Sequence, residues 1–222
     1  MAEENGKWVN HQISTLKSGY FYHAGEWIDI NGDGRLDFLT ARSNAQNGGG
    51  QLVWFEHPVE GLNKLPWTEH VLTSGPDVMF DVQTKIKGYE NSLVIFASEF
   101  FNKKLTVYEF GLGGANAGKL VNSRIIDTQI DQAYSVKYLD INEDGKFELM
   151  VNNHETDNSK AGLFLYDVPA DLFQGTFIKR VIANGFKNAF ALLIPNMSPG
   201  FPYVIKPTPT SGNHVLIAGD GD

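Results

Sequence analysis

The chain has 222 residues, 42% hydrophobic and 20% charged, an ordinary globular composition with enough length to bury a substantial core. A formal net charge of −8 and the lack of any Lys/Arg run argue against a nucleic-acid partner, and zero cysteines exclude a disulfide framework, thiol catalysis and Cys-ligated zinc or iron–sulfur centres. The opening MAEENGKW has no signal-peptide pattern and no apolar run nears the roughly 20 residues of a bilayer span, so a soluble protein without a membrane span is expected, cytoplasmic or secreted with its signal removed.

Along the chain, short apolar runs rich in Val, Ile, Phe, Tyr and Leu alternate with Gly, Asn, Asp and Pro, which predicts strands and no long helix. The first four are WVNHQI (8–13), FYHAGEWIDI (21–30), LDFLTAR (36–42) and GQLVWFEHP (50–58). The order recurs in WTEHVL (67–72), PDVMFDVQ (76–83), SLVIFAS (92–98) and KLTVYEFG (104–111), and again in LVNSRII (120–126), AYSVKYLDI (133–141), FELMVNN (147–153) and GLFLYDVP (162–169). A degenerate fourth copy reads TFIKRVI (176–182), AFALLIP (189–195), PYVIKPT (202–208) and HVLIAGD (214–220). Four strands recurring at intervals of roughly fifty to sixty residues predict an all-β fold, a β-propeller of four-stranded blades, with a β-sandwich or barrel as the alternative. The repeats fall near 8–66, 67–119, 120–175 and 176–222 of a single propeller domain, each opening on the outermost strand of a blade. Four repeats fit either a closed four-bladed ring, with 8–13 pairing beside 214–220 to clasp it, or part of a ring of six to eight blades, and a homodimer of such parts stays open.

Between the second and third runs lies DINGDGRLD, with oxygen side chains at alternate places: Asp29, Asn31, Asp33 and, at the ninth, Asp37. The seventh residue, Arg35, would offer its backbone carbonyl, and glycine permits the tight bend. The third repeat has the same device as DINEDGKFE, supplying Asp140, Asn142, Asp144, the carbonyl of Lys146, and Glu148. Hard oxygen donors in this number suit Ca²⁺, with Mg²⁺ or Mn²⁺ as weaker fits, and the metal-free reading is an Asx-rich hairpin turn. The second repeat keeps only Asp81 of the pattern and the fourth none, so two structural sites are expected.

The DxNxDGxxD loops, DINGDGRLDFL and DINEDGKFELM, with the W-x-x-H-x-I/L openings and LVWFEHP, resemble the FG-GAP or VCBS-type repeat propellers. The resemblance runs through all four repeats in strand order and through two in motif. It implies a Ca²⁺-stabilised propeller but no single function, because the family includes integrin α-chain heads, lectins, polysaccharide lyases, sugar dehydratases and fungal cyclases.

In such a blade the acidic turns lie at one end, and the residues flanking the inner strands gather at the other. That reasoning selects Tyr22, His23 and Arg42 from the first repeat, Asp77 and Glu99 from the second, Tyr134, Asn153 and His154 from the third, and Lys187 and Asn188 from the fourth. His23, Tyr134, His154 and Glu99 are the acid–base candidates, and Tyr22, Arg42, Asp77, Asn153, Lys187 and Asn188 the ligand-binding ones. Two functions are weighed. One is a module binding a carbohydrate or other small polar ligand at the end opposite the acidic loops, and the other is a lyase, dehydratase or cyclase without redox cofactor. A protein-interaction module is a third reading. No HExxH, GxSxG or phosphate-loop motif is present, and Asn196-Met197-Ser198 matches a glycosylation acceptor.

Overall fold

The structure, a computed structural model, describes residues 2–4, 6–15, 17–44, 49–155, 157, 159–186 and 199–217. Three antiparallel four-stranded sheets follow one another, each a meander in chain order. The first contains β3 (Tyr20–Ile28), β4 (Asp37–Asn44), β5 (Gly49–Glu56) and β6 (Thr68–Ser74). The second contains β7 (Phe80–Gln83), β8 (Ser92–Glu99), β9 (Lys104–Gly111) and β10 (Leu120–Asp127), and the third β11 (Gln132–Leu139), β12 (Glu148–His154), β13 (Gly162–Asp167) and β14 (Ile178–Asn184). A two-stranded ribbon precedes them in the chain, β1 (Ala2–Glu4) with β2 (Lys7–Val9), and another follows, β15 (Tyr203–Ile205) with β16 (His214–Leu216). Among the described residues no helix is long and apolar enough to cross a membrane.

The middle sheet explains why its strands read as unbroken apolar runs. In β8 and its neighbours, Leu93, Ile95 and Ala97 pack with Leu39, Ala41, Leu52 and Trp54 of the first sheet. The residues between them, Val94 and Phe96, point the other way and pack with Val136, Leu149, Val151 and Phe164 of the third sheet. A strand buried on both faces has no polar alternation to show. The third sheet repeats this, turning Met150, Leu163 and Leu165 toward Val204 and Val215 of the last ribbon. The sheets therefore stack in series, each with one face for its predecessor and one for its successor. The two outermost faces are less covered. On the first sheet, Ile13 lies against Val53, Phe55 and Trp67, while Trp27 stays 54% exposed, and on the last ribbon Tyr203, Ile205 and Leu216 are exposed.

The strand that opens each repeat pairs with the last strand of the repeat before it, as β6 does with β5 and β10 with β9. Two details of the first and fourth repeats differ from expectation. Among the described residues no pairing joins 8–13 to 214–217: Trp8 pairs with Glu3, and β16 with β15. The fourth repeat is also read one strand too late. Asn152 donates to the carbonyls of Pro199 and Gly200 at 2.6 and 3.2 Å, whereas Asn213 reaches the Ile141 carbonyl at 2.8 Å, at the other end of the third sheet. The chain thus runs through β15 toward the acidic loops and returns through β16, the directions taken by the first and second strands of the other sheets. The run 189–195 lies outside the described residues.

Candidate functional site

The turns between first and second strands, and those between third and fourth, lie at one end of the stack. Both acidic loops are there, and they close in the same way. In the first, Asp29 accepts the N–H groups of Gly32 and Asp33 on one oxygen and of Gly34 on the other, at 2.8 to 3.1 Å. Asn31 accepts Asp33 N–H at 3.1 Å, and Asp33 accepts Arg35 N–H at 2.9 Å while pairing with the Arg35 guanidinium. In the third sheet Asp140 accepts the N–H groups of Asp144 and Gly145, Asn142 accepts Asp144 N–H, and Asp144 accepts Lys146 N–H, all at 2.8 to 3.0 Å. The Lys146 N–H is the main influence holding the Asp144 carboxyl below the usual range. Glu143 stands where the first loop has Gly32, and both are left-handed, with φ of 61° and 77°.

The ninth-place acids are buried staples. Asp37 accepts the N–H groups of Ile30 and His57, both at 2.9 Å, tying the loop to the end of β5. Glu148 accepts Ile141 N–H at 3.1 Å, and burial pushes both carboxyls upward from their ordinary values. Arg35 and Lys146, named for their carbonyls, contribute N–H groups to these turns. Among the described residues no three His, Asp or Glu side chains form a group that could hold a metal ion.

At the far end the selected side chains are close in pairs, with Asp77 and Asn153 holding backbone groups and Arg42, His23 and Glu99 bonded to neighbouring side chains. Arg42 is 1% exposed, donates to Gln51 and to both oxygens of Glu69 at 2.7 to 3.1 Å, and reaches the Tyr22 hydroxyl at 3.3 Å. His23 faces Ser43 Oγ at 3.2 Å, and burial lowers its pKa. Asp77, fully buried, accepts the N–H groups of Phe100 and Phe101 at 2.7 and 2.8 Å. Burial first, with the charge of Glu99 adding, lifts its pKa to about 6 against those two bonds. Glu99 is also fully buried, accepting from Tyr108 at 2.7 Å and Asn102 at 2.8 Å, with Lys104 at 3.2 Å. Asn153 donates to the Ile130 and Lys160 carbonyls and accepts Gly162 N–H. Tyr134 and His154 have ring centroids 4.5 Å apart, and Phe100 meets His154 edge-on at 5.3 Å. Lys187 and Asn188 lie outside the described residues.

A cleft of about 1000 Å³ opens instead at the acidic end, between the turns of the second and third sheets. One wall comes from Gln83 to Lys87, another from the second acidic loop, and a third from residues 167–172 with Arg180. Tyr138 and Phe147 stack within it, centroids 4.6 Å apart and planes 9° from parallel, and Tyr138 rests in turn on the buried ring of Phe96. Phe147 is 43% exposed. The expectation of a far-end site passed over these residues. Their signal lay in TKIKGY: where the first and third repeats carry acids, the second carries Lys85 and Lys87.

Comparison with family models, with curated proteins and with solved structures found no match.

Proposed function

We propose that the chain is part or all of a propeller-type binding module that takes a carbohydrate or similar polar small ligand in the cleft between the second and third sheets. The observation that carries this reading is the aromatic pair in that cleft: exposed Phe147 stacks on half-buried Tyr138, which is backed in turn by buried Phe96, a platform suited to a sugar face, and the lysines around it supply hydrogen bonds. The cleft replaces the far-end location because Asp77, Glu99, Arg42 and Asn153 are buried and bonded to their own scaffold.

The propeller arrangement is supported by the serial stacking of like meanders and by a contact made twice. The turn after β9 donates Gly113 and Gly114 N–H to the Ile30 and Asn31 carbonyls of the first acidic loop, each at 2.8 Å. One sheet further on, Leu172 N–H donates to the Tyr89 hydroxyl at 3.1 Å in the equivalent place. Each sheet is thereby tied to the one before it through matching turns.

Ca²⁺ belongs to the proposal as a structural ion. Its support is the chemistry of the donors, uncharged or anionic oxygens only, and the near-identical closure of both loops, held by Asp29, Asn31, Asp33 and Asp37 and by Asp140, Asn142, Asp144 and Glu148. The uncovered apolar faces at the two ends of the stack support association of two copies. Titration of the protein with a panel of oligosaccharides by calorimetry tests the main reading. Binding that Phe147→Ala weakens about tenfold, without lowering the unfolding midpoint, is expected; no heat from any saccharide at millimolar concentration would overturn it.

A further inference from the structure

Resting on the reading of the cleft as a saccharide site, we infer that its ligand is anionic, an oligosaccharide carrying carboxylate or sulfate groups. The chain as a whole is acidic, at −8, yet this cleft is lined by four cations, Lys85, Lys87, Lys146 and Arg180, against three carboxylates. The carboxylates have partners. Asp167 pairs with Arg180, which also lies 4.0 Å from Glu148, and Asp144 accepts the N–H of its own loop and the Asn142 amide. The three lysines make no ion pair among the described residues. Four cations against three carboxylates leave the lining net positive, and the cations in it without an ion pair among the described residues are the ammonium groups around the Tyr138 and Phe147 rings.

Lys85 and Lys87 are two apart, exposed on a turn whose counterparts hold acids, with Ile86 half-buried between them. Lys146 approaches from the facing loop of the third sheet. Ammonium groups on both sides of a stacking platform suit a chain whose successive sugars each bear a negative group. A neutral sugar would use the rings and leave the net positive lining of the cleft unanswered. Nearby acids do not reverse this. Glu143 is bound to Lys206 at 2.7 Å, and Asp140 accepts two loop N–H groups.

The test compares tetramers of galacturonic acid, a sulfated oligosaccharide and an uncharged glucose tetramer, titrated into the full chain at 50 and 500 mM NaCl, with EDTA and with Ca²⁺. Expected are tighter binding of the two anionic ligands than of the neutral one, a loss of at least tenfold in the triple variant Lys85→Gln, Lys87→Gln, Lys146→Gln, and weakening at high salt that persists with EDTA. Because these lysines are exposed, the variant should melt with the parent protein, which makes a binding loss interpretable. Equal binding of neutral and anionic tetramers, unchanged in the triple variant, would overturn the inference while leaving the saccharide reading intact. Anionic binding that needs Ca²⁺ and ignores the lysines would overturn it too, since the cation would then be the anchor. Failure of all three ligands would overturn the reading of the cleft itself.

Discussion

Asp77→Asn separates a structural carboxyl from a ligand-binding one. The wild-type group sits fully buried with two backbone N–H partners and a pKa of about 6, against 3.8 for the free side chain. Because the folded state holds this proton more tightly than the unfolded chain, the group's stabilising contribution is complete below about pH 4 and disappears as pH rises through 6. Two units correspond to about 3 kcal/mol in full, of which about 2 kcal/mol falls between pH 4.5 and 7.5. The amide cannot titrate, so it lacks this slope. It keeps one oxygen for Phe100 or Phe101 and turns its NH₂ toward the other N–H, an unmet donor worth roughly 1 to 3 kcal/mol at any pH in this range. Urea unfolding followed by tryptophan fluorescence, at constant ionic strength, should therefore show the variant losing about 2 kcal/mol more against wild type at pH 4.5 than at 7.5. Parallel stability profiles for the two proteins would refute the buried, elevated carboxyl and with it the scaffold role given to Asp77.

Chelation tests the acidic loops: EDTA should lower the melting temperature, Ca²⁺ should restore it, and Asp33→Ala or Asp144→Ala should each shrink the difference, whereas an unchanged midpoint would leave the loops as metal-free Asx turns. Phe96→Ala removes a fully buried ring that packs against the third sheet and backs Tyr138, so it should cost about 3 to 5 kcal/mol in urea unfolding and weaken saccharide binding together. Asp37→Ala leaves the Ile30 and His57 N–H groups without their acceptor, and a loss of about 2 to 4 kcal/mol should persist in EDTA, which a purely metal-dependent role would not give.

Strand content and order were legible because the physics is local. Short β-rich runs between turn residues predicted every strand of the three complete sheets, and the doubled DxNxDG motif located two turns that close alike. The fourth repeat was misaligned for an equally physical reason. PYVIK and HVLIA are similar apolar runs, and only long-range bonds, from Asn152 to Pro199 and from Asn213 to Ile141, set their direction. No propensity reports direction.

Residue type is what points to the far end rather than to the cleft proposed above. Histidines, a buried glutamate and an arginine are the usual vocabulary of catalysis, so the far-end set draws attention, yet the same chemistry makes them good partners for other buried polar side chains. Glu99 illustrates the point: with Tyr108, Asn102 and Lys104 around it and no exposure, its charge is fully engaged before any ligand arrives. Lysines on a loop carry the opposite prior, since most are solvated and do nothing. What distinguishes Lys85 and Lys87 is placement, in the one complete repeat where the acidic pattern fails, facing an intact acidic loop across a gap floored by aromatic rings. On the propeller proposal the three like sheets share one frame, so a turn whose charge is inverted relative to its counterparts is free of the shared structural role, and it is there that a specific role has room to arise.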